Sequence, residues 1–362
     1  MGRCGVTRKF SSKGMGREFP ENVLADTWWY GLTSRWTKKQ MANVAELRVN
    51  QGFNAIQLVV GVPPEVGPEN PSAASDVGPA WNLNGEFNRD YLILAREKIS
   101  TLNDLGLMVI AYGAWGQQIE WLGVEKMKQW WKEVISFLDG LNVVYCITGE
   151  SDLWVGEESN LLPDKSTDNF RKSGLFNAVE LAKNIIYGEK RFVQRKSKWS
   201  EVLEFVYDRT DKPIIIHEVS GKFSHEIVAK PELLSAVTVQ TGHSRDSKDD
   251  IRDLPRQAKV EYPGVPFINL EPWYEGIRND FGVQDQLYAY WAMRIAGADG
   301  FCYGAQGMWN LGDGKFLGHW GKQTLEEAVK LDTPRLLGLS HRLFVELGRK
   351  KLEYYERVED IK

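Results

Sequence analysis

The sequence predicts a (β/α)8 TIM barrel, an α/β fold, as one domain over residues 1–362, with residues 1–20 as an irregular Gly-, Lys- and Arg-rich arm. Three observations carry that expectation. Eight short apolar runs alternate with helical segments, which argues a parallel sheet, and eight such units in one chain argue closure into a barrel. Several runs are apolar almost throughout, as suits parallel strands covered on both faces. No G-x-G-x-x-G follows the first run and no G-x-x-x-x-G-K-[ST] occurs anywhere, so nucleotide-binding α/β folds are disfavoured.

The first strand is expected at Asn22–Trp28. Thr37 and Gln40 form a capping box for a helix that buries Met41, Val44 and Leu47, and Gly52 closes it in a left-handed conformation. Asn54–Val60 is the second strand, followed by a long Pro/Gly/Ser-rich loop over Gly61–Gly85. Loops of that length in a compact domain are usually functional. Asn88 caps the next helix, with Tyr91, Ala95, Ile99 and Leu102 inward. Leu107–Trp115 is strand three, and its helix carries Met127, Trp131, Val134 and Leu138 at helical spacing. Strand four, Asn142–Glu150, ends in a carboxylate. A loop over Ser151–Asp168 and two helices, near Leu175–Tyr187 and Ser200–Arg209, lead to strand five at Pro213–Val219. A short helix at Ile227–Leu234 precedes strand six, Ala236–His243; Asp249–Tyr262 is helical but interrupted by Pro255. Strand seven, from Phe267, ends at Glu271-Pro272, a helix spans Gly282–Ala296, and strand eight is Gly300–Tyr303, running on towards Trp309. Thr333 caps a last helix with Pro334 at its first position.

Composition narrows the function. Net charge is −4 without a basic block, so nucleic acid is not a natural partner. No apolar run reaches the ~18 residues of a membrane span, and the N-terminus lacks the apolar segment of a secretory signal, so a cytoplasmic chain is expected unless a signal has been trimmed. Three Cys, two of them (Cys146 and Cys302) inside apolar runs, read as free thiols rather than a disulfide framework. Five His without H-x-x-x-H spacing make a metal site unexpected, and no cofactor is called for. Fourteen Trp and thirteen Tyr supply core, and also faces on which sugars stack.

A barrel places its chemistry at the C-terminal strand ends. Those ends carry Asp26 and Trp28, Gln57, Trp115, Glu150 and Asp152, His217, Gln240 and His243, Glu271 and Tyr274, and Trp309. Carboxylates and amides bind hydroxyls, and no Lys/Arg cluster for a phosphorylated substrate accompanies them. Each has a structural alternative. Asp26 could equally cap a turn; Gln57 reads better as a hydrogen-bonded residue inside the barrel; Trp115 and Trp309 fit core and stacking alike. His217 follows three isoleucines and could be a core histidine. Gln240 and His243 flank Gly242, which packing alone explains poorly. Glu150 and Glu271, at the ends of strands four and seven, face one barrel mouth, the arrangement that two-carboxylate glycoside hydrolysis needs. Tyr274 could donate a hydrogen bond that keeps Glu271 ionised, and Asp152 rivals Glu150 as the acid. Other readings are a barrel that binds carbohydrate without turnover, or a metal-dependent barrel hydrolase.

The motifs A-D-T-W-W (Ala25–Trp29), N-R-D-Y-L with L-N-D-L-G-L-M-V-I-A-Y-G-A-W-G (Asn88–Gly116), T-G-E (Thr148–Glu150), Q-T-G-H-S (Gln240–Ser244) and N-L-E-P-W-Y-E (Asn269–Glu275) occur in an order that resembles the apiosidase-like catalytic domain family. The resemblance implies a retaining glycosidase barrel acting on a plant or microbial oligosaccharide, with Glu271 as nucleophile and Glu150 as acid/base. The family's strand-four motif usually ends Gly-Gly-Asp, where this chain has Thr-Gly-Glu. The wider clan places Asn before the acid, where this chain has Gly149.

Overall fold

The computed structural model describes residues 17–152 and 174–348. Eight parallel strands, β1 (Val23–Thr27), β2 (Ala55–Val59), β3 (Met108–Tyr112), β4 (Val143–Cys146), β5 (Ile214–Ile215), β6 (Val237–Gln240), β7 (Phe267–Glu271) and β8 (Gly300–Tyr303), form a nearly closed TIM barrel in the order β5-β4-β3-β2-β1-β8-β7-β6. The seam between β5 and β6 has no strand ladder. Instead Ser235 N–H donates to Ile214 O (2.7 Å), and the Thr238 hydroxyl donates to Ile216 O (2.5 Å). Every strand residue is buried, which is why the strands read as continuous apolar runs.

The helices are α1 (Lys38–Gln51), α2 (Arg89–Asp104), α3 (Gln118–Leu138), α4 (Gly174–Tyr207), α5 (Lys248–Glu261), α6 (Val283–Ile295), α7 (Gln306–Trp309), α8 (Leu325–Val329) and α9 (Thr333–Leu347). The Thr37/Gln40 capping box, Gly52 at φ 97° and the Asn88 cap on Tyr91 N–H form as their chemistry requires.

Five local expectations are corrected. Strand eight stops at Tyr303, and Gln306–Trp309 is the short helix α7 rather than its continuation. Among its described residues the β4–β5 connection carries one 34-residue helix, α4, where two shorter ones were expected. Ile227–Leu234 is not a helix; short 3-10 turns stand at Ser224–Glu226 and Pro231–Leu233. Pro255 sits inside a continuous α5. Thr333 does not cap α9: Asp332 holds the cap position, and the Thr333 hydroxyl donates to buried Glu275 (2.7 Å). The arm through residue 16 and the loop after Asp152 lie outside the described residues.

The outer ring closes where the last helix meets the first. A Cβ on Gly338 of α9 would lie 1.4 Å from the Gln51 carbonyl oxygen at the end of α1. Only glycine permits that approach. Gly338→Ala is therefore expected to lower stability by about 1–3 kcal/mol; thermal unfolding at unchanged stability would show that α9 can shift away at no cost.

Candidate active site

At the C-terminal mouth a cavity of about 270 Å³ is lined by residues from all around the barrel, among them Trp29, Glu65, Trp115, Glu150, Gln240, His243, Glu271, Tyr274, Arg278, Trp309 and Trp320. Glu271 is the last residue of β7. The β6–β7 ladder shifts register between Val239 and Gln240, so that Gln240 pairs with Glu271. Such irregularities re-aim side chains beside active sites. Gln240 turns its amide Nε2 to Glu150 Oε1 (3.2 Å), and His243, just beyond, meets Glu271 Oε1 through Nε2 (3.0 Å). The Tyr274 N–H points at His243 Nδ1 (3.3 Å), so the neutral ring carries its proton on Nε2 and donates to Glu271. Burial lowers the His243 pKa to about 4, which keeps the ring neutral.

Glu150 stands three residues past Ile147 on a left-handed backbone, φ 39°, rare for a residue with a side chain. The Trp115 indole N–H donates to its Oε2 (3.0 Å). Gly149 makes this possible: a Cβ there would lie 2.3 Å from the Trp115 ring. The indole thus fills the space that a side chain before the acid would need.

Burial raises both carboxyls, each to about 8. The negative charge of Glu271 raises Glu150 further, while the Trp115 and Gln240 hydrogen bonds oppose the rise. The neighbouring Tyr274 hydroxyl opposes the rise of Glu271, although its geometry falls short of a hydrogen bond. His243, not Tyr274, is the donor that Glu271 holds. The second Glu271 oxygen, Oε2, is buried with no hydrogen bond, 3.6 Å from His217 Nε2.

Five expected site residues do not line the cavity. Asp26 is wholly buried and bound by Arg48 Nε (2.6 Å), the Trp28 indole (2.9 Å) and Thr27 N–H (2.8 Å), so its acceptors are taken up inside the barrel wall. Trp28 points with it, edge-on to Trp36; its neighbour Trp29 faces the cavity instead. Gln57 braces the interior, donating to Thr27 Oγ1 and Leu270 O and accepting from the Tyr112 hydroxyl. Asp152 pairs with Lys222 and caps Val219 N–H, tying the β4 and β5 loops together. His217 lies beneath Glu271, edge-on to Tyr112 and Trp115, and burial keeps it neutral by lowering its pKa to about 3. Trp115, Glu150, Gln240, His243, Glu271, Tyr274 and Trp309 all line the cavity. Trp29, Glu65, Arg278 and Trp320 were not anticipated. Among the described residues, no group of three or more His, Cys, Asp or Glu is placed to hold a metal ion, and no helix is long and apolar enough to cross a membrane.

The family model for the apiosidase-like catalytic domain matches residues 15–346. The chain belongs to that family, and it is a glycosidase. Similar solved structures include a glycoside hydrolase at 14% identity, covering 92% of this chain and 75% of that one with a TM-score of 0.68. A glycoside hydrolase family 5 protein from Bacteroides vulgatus aligns at 15% identity, with 92% and 71% covered and a TM-score of 0.68. The endo-1,4-β-D-mannanase of Thermotoga petrophila aligns at 11% identity, with 90% and 100% covered and a TM-score of 0.54. At these identities the likeness is one of fold. A search of curated proteins returns no match.

Two predictions test the placement. Trp28→Phe removes a buried hydrogen bond and should cost about 1–3 kcal/mol of stability with substrate KM unchanged, whereas Trp29→Ala should raise KM; the reverse pattern would put Trp28 in the site. Glu150 and Glu271 bind protons more tightly folded than unfolded. Their contribution is complete below the unfolded value of about 4.5 and is lost as pH rises through about 8. Glu150→Gln and Glu271→Gln should therefore raise the melting temperature above wild type at pH 9, with the difference shrinking towards pH 4. A pH-independent difference would mean that the carboxyls are not held up by burial.

Proposed function

We propose that the chain is a retaining glycosidase of plant or microbial oligosaccharides, a single barrel in which Glu271 is the nucleophile and Glu150 the acid/base. The observation that carries this reading is the unequal surroundings of the two carboxyls in one cavity. Glu271 has one oxygen held by His243 and the other without a hydrogen bond, as a group that must attack requires. Glu150 has both oxygens held, by Trp115 and Gln240, and the charge of Glu271 favours keeping a proton on it. Asp152, the rival acid, is occupied by Lys222 and lies off the cavity lining.

In the first step Glu271 attacks the anomeric carbon as Glu150 gives its proton to the departing oxygen, leaving a glycosyl ester on Glu271. In the second, Glu150 takes a proton from water, whose oxygen attacks the same carbon and releases Glu271. Neutral His243 fixes the nucleophile without neutralising it. Aromatic walls from Trp29, Trp309 and Trp320 suit the C–H faces of a sugar.

The roles separate on mutation. Glu150→Ala should slow natural glycosides by about 10²–10⁴-fold, affect activated aryl glycosides less, and be rescued by azide with retained configuration. Glu271→Ala should lose turnover on both, with azide giving inverted product. Because both carboxyls are raised towards about 8, kcat/KM should peak at neutral to mildly alkaline pH, rising as Glu271 ionises and falling as Glu150 loses its proton. Full activity in both alanine variants, or direct release of inverted product by the wild type, defeats the assignment.

A further inference from the structure

We propose that Glu65 is a substrate-binding residue of this cavity, whose carboxylate accepts hydrogen bonds from hydroxyls of the sugar under attack. The proposal rests on the glycosidase reading above and adds a third carboxylate to it.

The geometry comes from the loop after β2. Glu65 lines the same cavity as Glu150 and Glu271, and it does so from a backbone at φ 71°. A non-glycine residue there costs on the order of 1–3 kcal/mol and persists only where its surroundings hold it. The holding contacts are visible. The preceding Pro64, also in the lining, accepts a hydrogen bond from the buried Tyr30 hydroxyl through its carbonyl. Tyr30 in turn packs against Trp309 and Phe316 of the β8 side. The Glu65 side chain is only 14% exposed and has His319 Nε2 at 3.6 Å across the mouth. Strained backbone, a proline before it and an anchored tyrosine together hold Glu65 in the lining of a space that a substrate must fill.

The chemistry fits a hydroxyl-rich ligand. An ionised carboxylate is acceptor-only and can receive two vicinal hydroxyls, and such charge-assisted bonds are the stronger kind. The other charged or titratable groups in the lining are Glu150, Glu271, His243, Tyr274 and Arg278, with His319 beside Glu65. The charge of Glu65 reaches the reacting pair, raising the pKa of both Glu150 and Glu271. Contact and charge therefore predict separable effects.

The test uses the full chain, an aryl glycoside that it hydrolyses, and calorimetry with oligosaccharides. Glu65→Gln keeps the size of the side chain and removes its charge. It should raise KM or the sugar Kd by about 10- to 100-fold, as loss of a hydrogen bond to a charged group implies. It should also move both limbs of the pH profile of kcat/KM to lower pH. Glu65→Asp keeps the charge and shortens the reach, so it should weaken binding while leaving the pH profile nearly in place. Unchanged binding in Glu65→Gln, with a folded protein by circular dichroism, overturns the proposal whatever the pH profile does. A wild type that binds sugars in a Glu65-dependent manner but turns over no glycoside would defeat the catalytic reading and leave this one standing. A wild type that binds no sugar defeats this one.

Discussion

Two carboxyls withdrawn from water into one cavity impose the constraint on which the barrel mouth depends. An isolated charge at the end of an apolar strand is expensive unless its surroundings supply hydrogen bonds. The barrel supplies them from its strand ends. Gln240 and Trp115 serve Glu150, and His243 serves Glu271. That division requires the register shift that sets Gln240 beside Glu271 and the bare Gly149 that admits the Trp115 ring. It also requires a neutral His243, because a charged imidazole would lock Glu271 in a buried ion pair. Burial, which raises the acids, is the same force that keeps both histidines neutral.

Polar groups one layer further in answer the same cost differently. Asp26 is surrounded by a guanidinium, an indole and a backbone amide, and Gln57 bridges β1, β3 and β7. Glu275 receives the Tyr303 and Thr333 hydroxyls and so ties β8 and α9 to the loop after β7. Each of these groups is held by protein hydrogen bonds. Depth separates Asp26 from the pair in the cavity: Asp26 lies within a strand, whereas Glu150 lies beyond the last residue of its strand and Glu271 at the end of its own.

Depth is also what local sequence reports poorly. The βα alternation was legible because apolar runs, caps and glycine stops are local signals, as at Thr37, Gln40 and Gly52. That Glu150 and Glu271 share one mouth was legible because each ends such a run. Trp28 was expected in the site where Trp29 stands, since a strand buried on both faces shows no alternation from which to read its pleat. Glu65 went unseen in a Pro/Gly-rich loop with no period; only its left-handed backbone and its place in the lining single it out. The unbroken α4 was read as two helices because its Glu189–Lys198 stretch is charged rather than amphipathic, yet Glu, Lys, Arg and Gln are good helix formers. Thr333 has the side chain of a cap, but Glu275 competes for its hydroxyl and wins.

Gly149, where the wider clan places Asn, has a steric explanation on the neighbouring strand. Position 149 cannot carry a side chain while the Trp115 ring lies against it, because a Cβ would fall 2.3 Å from the ring. The same ring donates to Glu150 Oε2. The absence of a polar residue before the acid and the presence of an indole donor on the acid are thus one arrangement, not two. The backbone between them is tied as well: Gly149 N–H donates to Ala114 O (3.0 Å), and Gly116 N–H donates to Gly149 O (2.8 Å). A Cβ on Gly116 would in turn meet the Glu150 carbonyl at 2.0 Å. Two bare glycines therefore let the β3 and β4 extensions lie close enough for a tryptophan on one to orient the acid on the other, and the left-handed turn at Glu150 follows from that closeness. The group that orients Glu150 comes from the adjoining strand, so a substitution at residue 115 or 149 should be felt at the Glu150 carboxyl before it is felt elsewhere in the cavity.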